Sequence, residues 1–251
     1  MDKLLDCAMS IGEQMLVSGA EVHRVEDSLT RIFNALGAYR VDVFIITSSM
    51  VVTVHTEDGQ AFTQTRRITD VGTDFERLHK LNALSRRICS QKLTIEEIQA
   101  ELRSIDSAKT YPQWLICLCY SMIAGSFALF FGGGLADAGV ALLAGLAVGL
   151  TALICDRTVK NKIFTKFTAS LITTAIAFGA FKLGWISSLD KVLIGNIMSL
   201  IPGIGLTNAI RDLFLGDSIA GLLRTIEACL SALALAAGYF TMIFLGGGAV
   251  I

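Results

Sequence analysis

Hydrophobic positions in the first 36 residues recur at helical spacing. Leu5, Ala8, Met9, Gly12, Met15, Leu16 and Gly19 share one face, and Val22, Val25, Leu29, Ile32, Phe33 and Leu36 share another. That period predicts two amphipathic helices. Gly19 is expected to separate them and Gly37 to end the second, since glycine enters the left-handed region without steric cost. From Arg40 the period changes to two. The runs VDVFIIT, MVVTVHT and AFTQTRR are β-branched or alternating, and EDG (57–59) supplies a turn between the last two. Three strands are expected. Two more helices are expected at about 74–90 and 94–104, the second opened by Thr94 with Glu97 at capping-box spacing. Residues 1–107 therefore predict a small α+β domain.

Beyond it, periodicity gives way to long apolar runs. A helix needs about 20 mainly apolar residues to cross a core of roughly 30 Å. Uncharged runs cover 110–136, 138–155, 167–181, 192–210 and 228–251. The third is short, but the flanking Lys166 and Lys182 can carry their ammonium groups to the interface. The fold class expected is a multi-pass α-helical membrane protein with an N-terminal α+β cytoplasmic domain. Its membrane domain, 108–251, would hold five transmembrane helices at about 112–132, 138–155, 164–184, 191–210 and 222–246. Tyr111 and Trp114, at the entrance to the first span, suit an interface. Small residues recur at spacing four in three spans: Ala141, Gly145 and Gly149; Ala169, Thr173 and Ala177; Ala228, Ala232 and Ala236. Such stripes let helix backbones approach closely, although membrane helices are in any case rich in Gly and Ala.

Composition sharpens this division. The 251 residues are 53% hydrophobic and 17% charged, against about 25% charged in ordinary soluble domains. Residues 1–110 hold 13 Lys/Arg and 16 Asp/Glu, leaving 8 and 6 for the longer remainder. A net charge of -1 gives no basic excess for nucleic acid. The six cysteines lack CxxC spacing, so neither a zinc site nor a disulfide framework is indicated. Acidic residues in MDKLLDCAMSIGEQ argue against a cleavable signal. Arg157, Lys160, Lys162 and Lys166 mark one side of the membrane, with Arg211 and Arg224, whereas the other side has GGGLADAG, with no Lys or Arg, and a loop flanked by Lys182 and Lys191. The positive-inside rule places the N-terminus in the cytoplasm and the C-terminus in the periplasm or outside.

Two stretches carry unusual charge. In GAEVHRVEDSLTRI (19–32), Glu21, Arg24, Asp27 and Arg31 follow helical spacing and predict an alternating ladder on one face. The plain reading is a solvated, salt-bridged face. His23 with Glu26 or Asp27 could supply half a metal site. With His55 and His79 the other histidines, no metal and no cofactor is expected. The second stretch, LIPGIGLTNAIRDLFLGD (200–217), sets charges beside apolar residues, which is costly. Pro202 removes a backbone hydrogen bond, and Gly203 and Gly205 loosen the helix, so a broken span is expected. Asn208, Arg211 and Asp212 then fall on one face of the second half-helix. Broken helices with inward polar groups recur at transporter substrate sites. Arg211 could bind a substrate carboxylate through its planar fork, with Asp212 holding it when the site is empty. Equally, Arg211 could snorkel at the cytoplasmic edge, paired with Asp212 or Asp217. No nucleophile elbow, Walker loop or GxGxxG occurs, and no enzyme activity is expected.

GAEVHRVEDSLTRI and LIPGIGLTNAIRDLFLGDSIAGLLRTIEA both resemble signature stretches of the threonine/serine exporter family, in the expected order. By position, the residues so marked are Glu21, Arg24, Glu26 and Asp27, then Pro202, Gly203, Asn208, Arg211, Asp212, Gly216, Asp217, Arg224 and Glu227. Fused members of the family have about ten spans. Five spans fit the split form, in which a larger subunit works with a smaller membrane subunit, as in a bacterial succinate exporter. The resemblance implies export across the bacterial inner membrane of a small-molecule substrate, with threonine/serine and succinate-like dicarboxylates both open. Asp212, Asp217 and Glu227 are the candidate proton carriers. The alternative is a membrane-anchored enzyme or regulator whose α+β domain is the active part.

Overall fold

The computed structural model describes residues 2–69, 71–91, 93–108 and 111–246. Its chain forms two compact units, Met1–Lys109 with Gly205–Thr225, and Thr110–Ile204 with Ile226–Ile251.

The first unit opens with α1 (Asp2–Val17) and α2 (Val22–Ala35). Gly19 and Gly37 both take positive φ, 93° and 90°, and break the chain where glycine was expected to. The strands β1 (Arg40–Ile46), β2 (Ser49–His55) and β3 (Ala61–Arg67) form an antiparallel sheet in that order. Phe44 lies opposite Val51, and Thr53 opposite Thr63. Alternation sorts the faces: Met50, Val52 and Val54 turn into the core, while the Thr53 and Thr63 hydroxyls bond to each other at 2.9 Å on the other face. Phe33, Met9, Ile11, Met15, Leu29 and Leu84 are wholly buried beside them. Arg66 on β3 reaches Asp6 (2.5 Å) and Glu13 (2.8 Å) on α1. The helices α3 (Phe75–Gln91) and α4 (Ile95–Asp106) complete the layer. Thr94 caps α4 in the capping box expected for it.

In the second unit, α5 (Gln113–Phe130), α6 (Leu135–Thr158), α7 (Lys162–Lys182) and α8 (Leu189–Met198) pack with the later part of α10 (Ser218–Leu245). A Cβ on Gly145 would lie 2.8 Å from the Tyr120 carbonyl, and one on Gly149 would lie 2.8 Å from Cys117 Cα. The α6 stripe is thus a backbone contact with α5. Ala169, Thr173 and Ala177 of α7 are buried too. The α10 stripe differs from expectation, because Ala232 and Ala236 are exposed. The buried face runs through Ala228, Ser231, Leu235 and Gly238, and Gly238 meets the Phe167 carbonyl. A strict spacing of four overshoots the helical period of about 3.6 and drifts around the helix, so a contact row must mix threes and fours. Asp137, buried at the start of α6, accepts from the backbone amides of Gly134 (2.8 Å), Ser187 (2.9 Å) and Ser188 (3.2 Å). It fastens the segment before α8.

Among the described residues, four helices, α5, α6, α7 and α10, are long and apolar enough to cross a membrane. The fourth expected span is two helices. α8 stops at Met198 and α9 (Gly203–Leu215) starts after Pro202, the pair being bent by 56°. Counted as one span, they make five. Gly203 and Gly205 sit in the first turn of α9 rather than in the break. The last residues of the fifth expected run, 247–251, lie outside the described residues.

Candidate functional site

The two charged stretches meet inside the first unit. Gly216, with φ 97°, turns the chain from α9 into α10. A Cβ on Gly221 would stand 2.9 Å from the Ala209 carbonyl, so α9 and the start of α10 form a tight hairpin. Ala220 of this hairpin belongs to the same hydrophobic core as α1, α2 and the sheet. Apolar packing therefore carries residues 208–224 to the N-terminus of α2, about 190 residues away in sequence.

Glu21 is the N-cap of α2, but its side chain makes no capping bond. Its Oε1 accepts instead from Arg211 Nη1 at 2.8 Å. Arg224 donates through Nη2 to the Ala20 carbonyl at 3.0 Å, and its Nη1 stands 3.4 Å from Asp212 Oδ2. The Asp212 side chain is fully buried and that of Arg224 is 11% exposed. These pairings correct the expectation that Asp212 holds Arg211. Neighbouring residues on a helix point about 100° apart, and here each finds its own partner. The ladder on α2 is half formed. Asp27 pairs with Arg31 at 2.9 Å, but Glu21 has been drawn to Arg211.

A second group stands alongside. His23 and Glu26 lie one turn apart on α2, and Asp217 occupies the α9–α10 turn. One ligand atom of each lies within 4.8 Å of the other two. The Asp217 amide donates to the Asp212 carbonyl at 2.9 Å, which fixes the turn. Glu26 Oε1 accepts from the Ile45 amide at 3.1 Å. Burial pushes the Glu26 carboxyl above its usual range, and the nearby Asp217 charge pushes it further. Asn208 is half-buried on α9 and Arg24 is exposed on α2. Pro202, Gly203 and Glu227 belong to the other unit.

Sequence reasoning marked Arg224 but gave it no partner, and it did not join His23 to Asp217. A signal was present in the surplus of charges on 208–227, which need counterions that their own apolar surroundings lack.

The family described as "Putative threonine/serine exporter" matches residues 6–246. The chain is 28% identical over 236 residues to the "Probable succinate transporter subunit YjjP" of Klebsiella aerogenes, covering 93% of this chain and 89% of that protein. Its Escherichia coli K12 counterpart of the same description is 27% identical over 226 residues, covering 89% and 87%. A "Probable threonine/serine exporter" of Mycobacterium tuberculosis is 23% identical over 230 residues, covering 90% of this chain and 43% of that longer protein. No solved structure matches. The chain belongs to the threonine/serine exporter family, and its apolar helices make it a multi-pass membrane protein.

Proposed function

We propose that this chain is the larger subunit of an inner-membrane exporter of small carboxylate-bearing metabolites, working with a smaller membrane subunit. Family membership and the two relatives described as succinate transporter subunits support this reading. They give no support to the anchored-enzyme alternative. In this reading α8 and α9 are one broken span, so that five spans follow a cytoplasmic domain of residues 1–107. The N-terminus is cytoplasmic and the C-terminus lies on the far side.

The observation that carries the site assignment is Arg211. Its side chain is 58% exposed, yet it already binds a carboxylate, that of Glu21. A substrate carboxylate of similar chemistry competes for the same fork, with Asn208 beside it on α9. Glu21 thus takes the role once assigned to Asp212, and Asp212 supports the site through Arg224. Asp212, Asp217 and Glu227 remain the candidate proton carriers.

The test is efflux from proteoliposomes holding both subunits, loaded with labelled succinate or threonine. Movement of one of these identifies the substrate class, and no movement of any small carboxylate would overturn the reading. Arg211→Lys at matched abundance should lower efflux by about tenfold, because lysine keeps the charge but loses the planar fork. Wild-type efflux in that variant would reduce Arg211 to a topology anchor.

A further inference from the structure

We infer that His23, Glu26 and Asp217 form a binding site for one divalent first-row transition-metal ion, which ties α2 to the α9–α10 turn. The three residues supply an imidazole nitrogen and two carboxylates from two segments of one compact unit, with ligand atoms within 4.8 Å of each other. Ligands about 2.0–2.2 Å from a metal stand roughly 3–4 Å apart. Small side-chain rotations close that difference. His23 is exposed and Glu26 and Asp217 are half-buried, so the site has an open approach for an ion.

A second observation points to a cation. Asp212 is wholly buried alongside, with Arg224 Nη1 3.4 Å from its Oδ2. The Asp217 charge, and less strongly that of Asp212, acts on the Glu26 carboxyl. Asp217 Oδ2, by contrast, is shielded from solvent and accepts no hydrogen bond. Four carboxylates, Glu21, Glu26, Asp212 and Asp217, gather here with two guanidiniums. Those two are already engaged, Arg211 with Glu21 and Arg224 with Asp212. Shielded carboxylates without counterions are costly. One divalent ion answers both remaining carboxylates and the imidazole lone pair together. The imidazole favours iron, nickel, copper or zinc over magnesium and calcium, and the two carboxylates also admit manganese.

The inference is tested on the purified full-length chain, carrying a tag without histidines and stripped of metal with chelator. Mn2+ is titrated in and free ion is followed by electron paramagnetic resonance. One saturable Mn2+ per chain is expected, displaced by Zn2+ and not by equal Mg2+. The bound ion should show nitrogen coupling from an imidazole in pulsed spectra. That coupling should vanish in His23→Gln and persist in His55→Gln and His79→Gln. Asp217→Asn should weaken binding by about tenfold or more. No saturable binding, no nitrogen coupling in the unmodified chain, or coupling that survives His23→Gln would each overturn the proposal. The first two are read on the unmodified chain, so a variant that misfolds does not protect the idea. Transport is not measured, so failure here leaves the exporter reading standing.

Discussion

At the residue scale, the Arg224–Asp212 pair is the sharpest case of charge fitted to burial. Removing one member of a buried pair leaves the other uncompensated, at a cost of several kcal/mol. Arg224→Ala should therefore destabilise the first unit by about 3 kcal/mol. Arg224→Met combined with Asp212→Leu should recover much of that. Denaturant unfolding in detergent measures both, and an Arg224→Ala chain as stable as the original would show that the pair is idle. Thr94 offers a milder case. Its hydroxyl accepts from the Glu97 amide at 3.3 Å, and Glu97 accepts from the Thr94 amide at 2.8 Å. Thr94→Ala should cost about 1 kcal/mol, seen as faster amide exchange in α4. The Thr94 amide, then its hydroxyl, holds the Glu97 carboxyl below its usual value of 4.5. A depressed folded value means the cap contributes fully above 4.5 and is lost as pH falls through the folded value. Protection factors in the first turn of α4, taken relative to intrinsic exchange, should fall across that acid window, and Glu97→Gln should abolish this pH dependence.

At the element scale, close approach decides which glycines matter. In α6, a Cβ on Gly145 would lie 2.7 Å from Ala124 Cβ and 2.8 Å from the Tyr120 carbonyl, whereas one on Gly139 meets nothing within 4 Å. Backbone cannot move aside as a flexible side chain can. Gly145→Val should strip the protein from the membrane fraction or sharply lower its melting temperature. Gly139→Ala should be silent, and equal effects from the two would refute the packing of α5 on α6. The sequence made the elements legible. Period-two alternation in MVVTVHT and helical spacing from Val22 to Leu36 match β2 and α2 within a residue or two. It misplaced the buried face of α10, because small residues at spacing four are a pattern while burial depends on which neighbour the helix meets.

At the scale of the whole molecule, the proposed dependence on a second subunit is open to measurement. The purified chain alone should give no efflux above background in vesicles, and addition of the smaller subunit should restore it. Robust transport by the single chain would remove the need for a partner. Proposed orientation is checked by reporter fusions. A fusion at Lys162 should report the cytoplasm and one at Gly133 the far side, and the reverse at both would invert the arrangement.

Periodicity, composition and turn chemistry determined by themselves that a small α+β region precedes long apolar helices, and that the fourth apolar run is interrupted near Pro202. They did so because those signals are local: a helix or strand shows its period within a dozen residues. The tertiary structure alone decided the partners of the charges. Glu21 and Arg211 are 190 residues apart, and nothing in either stretch names the other. The hairpin of α9 and α10 brings them together through apolar contacts around Ala209, Ala220 and Gly221. Electrostatic pairing then follows position, which is why Asp212 faces Arg224 instead of its own neighbour and why Asp217 stands beside His23 and Glu26.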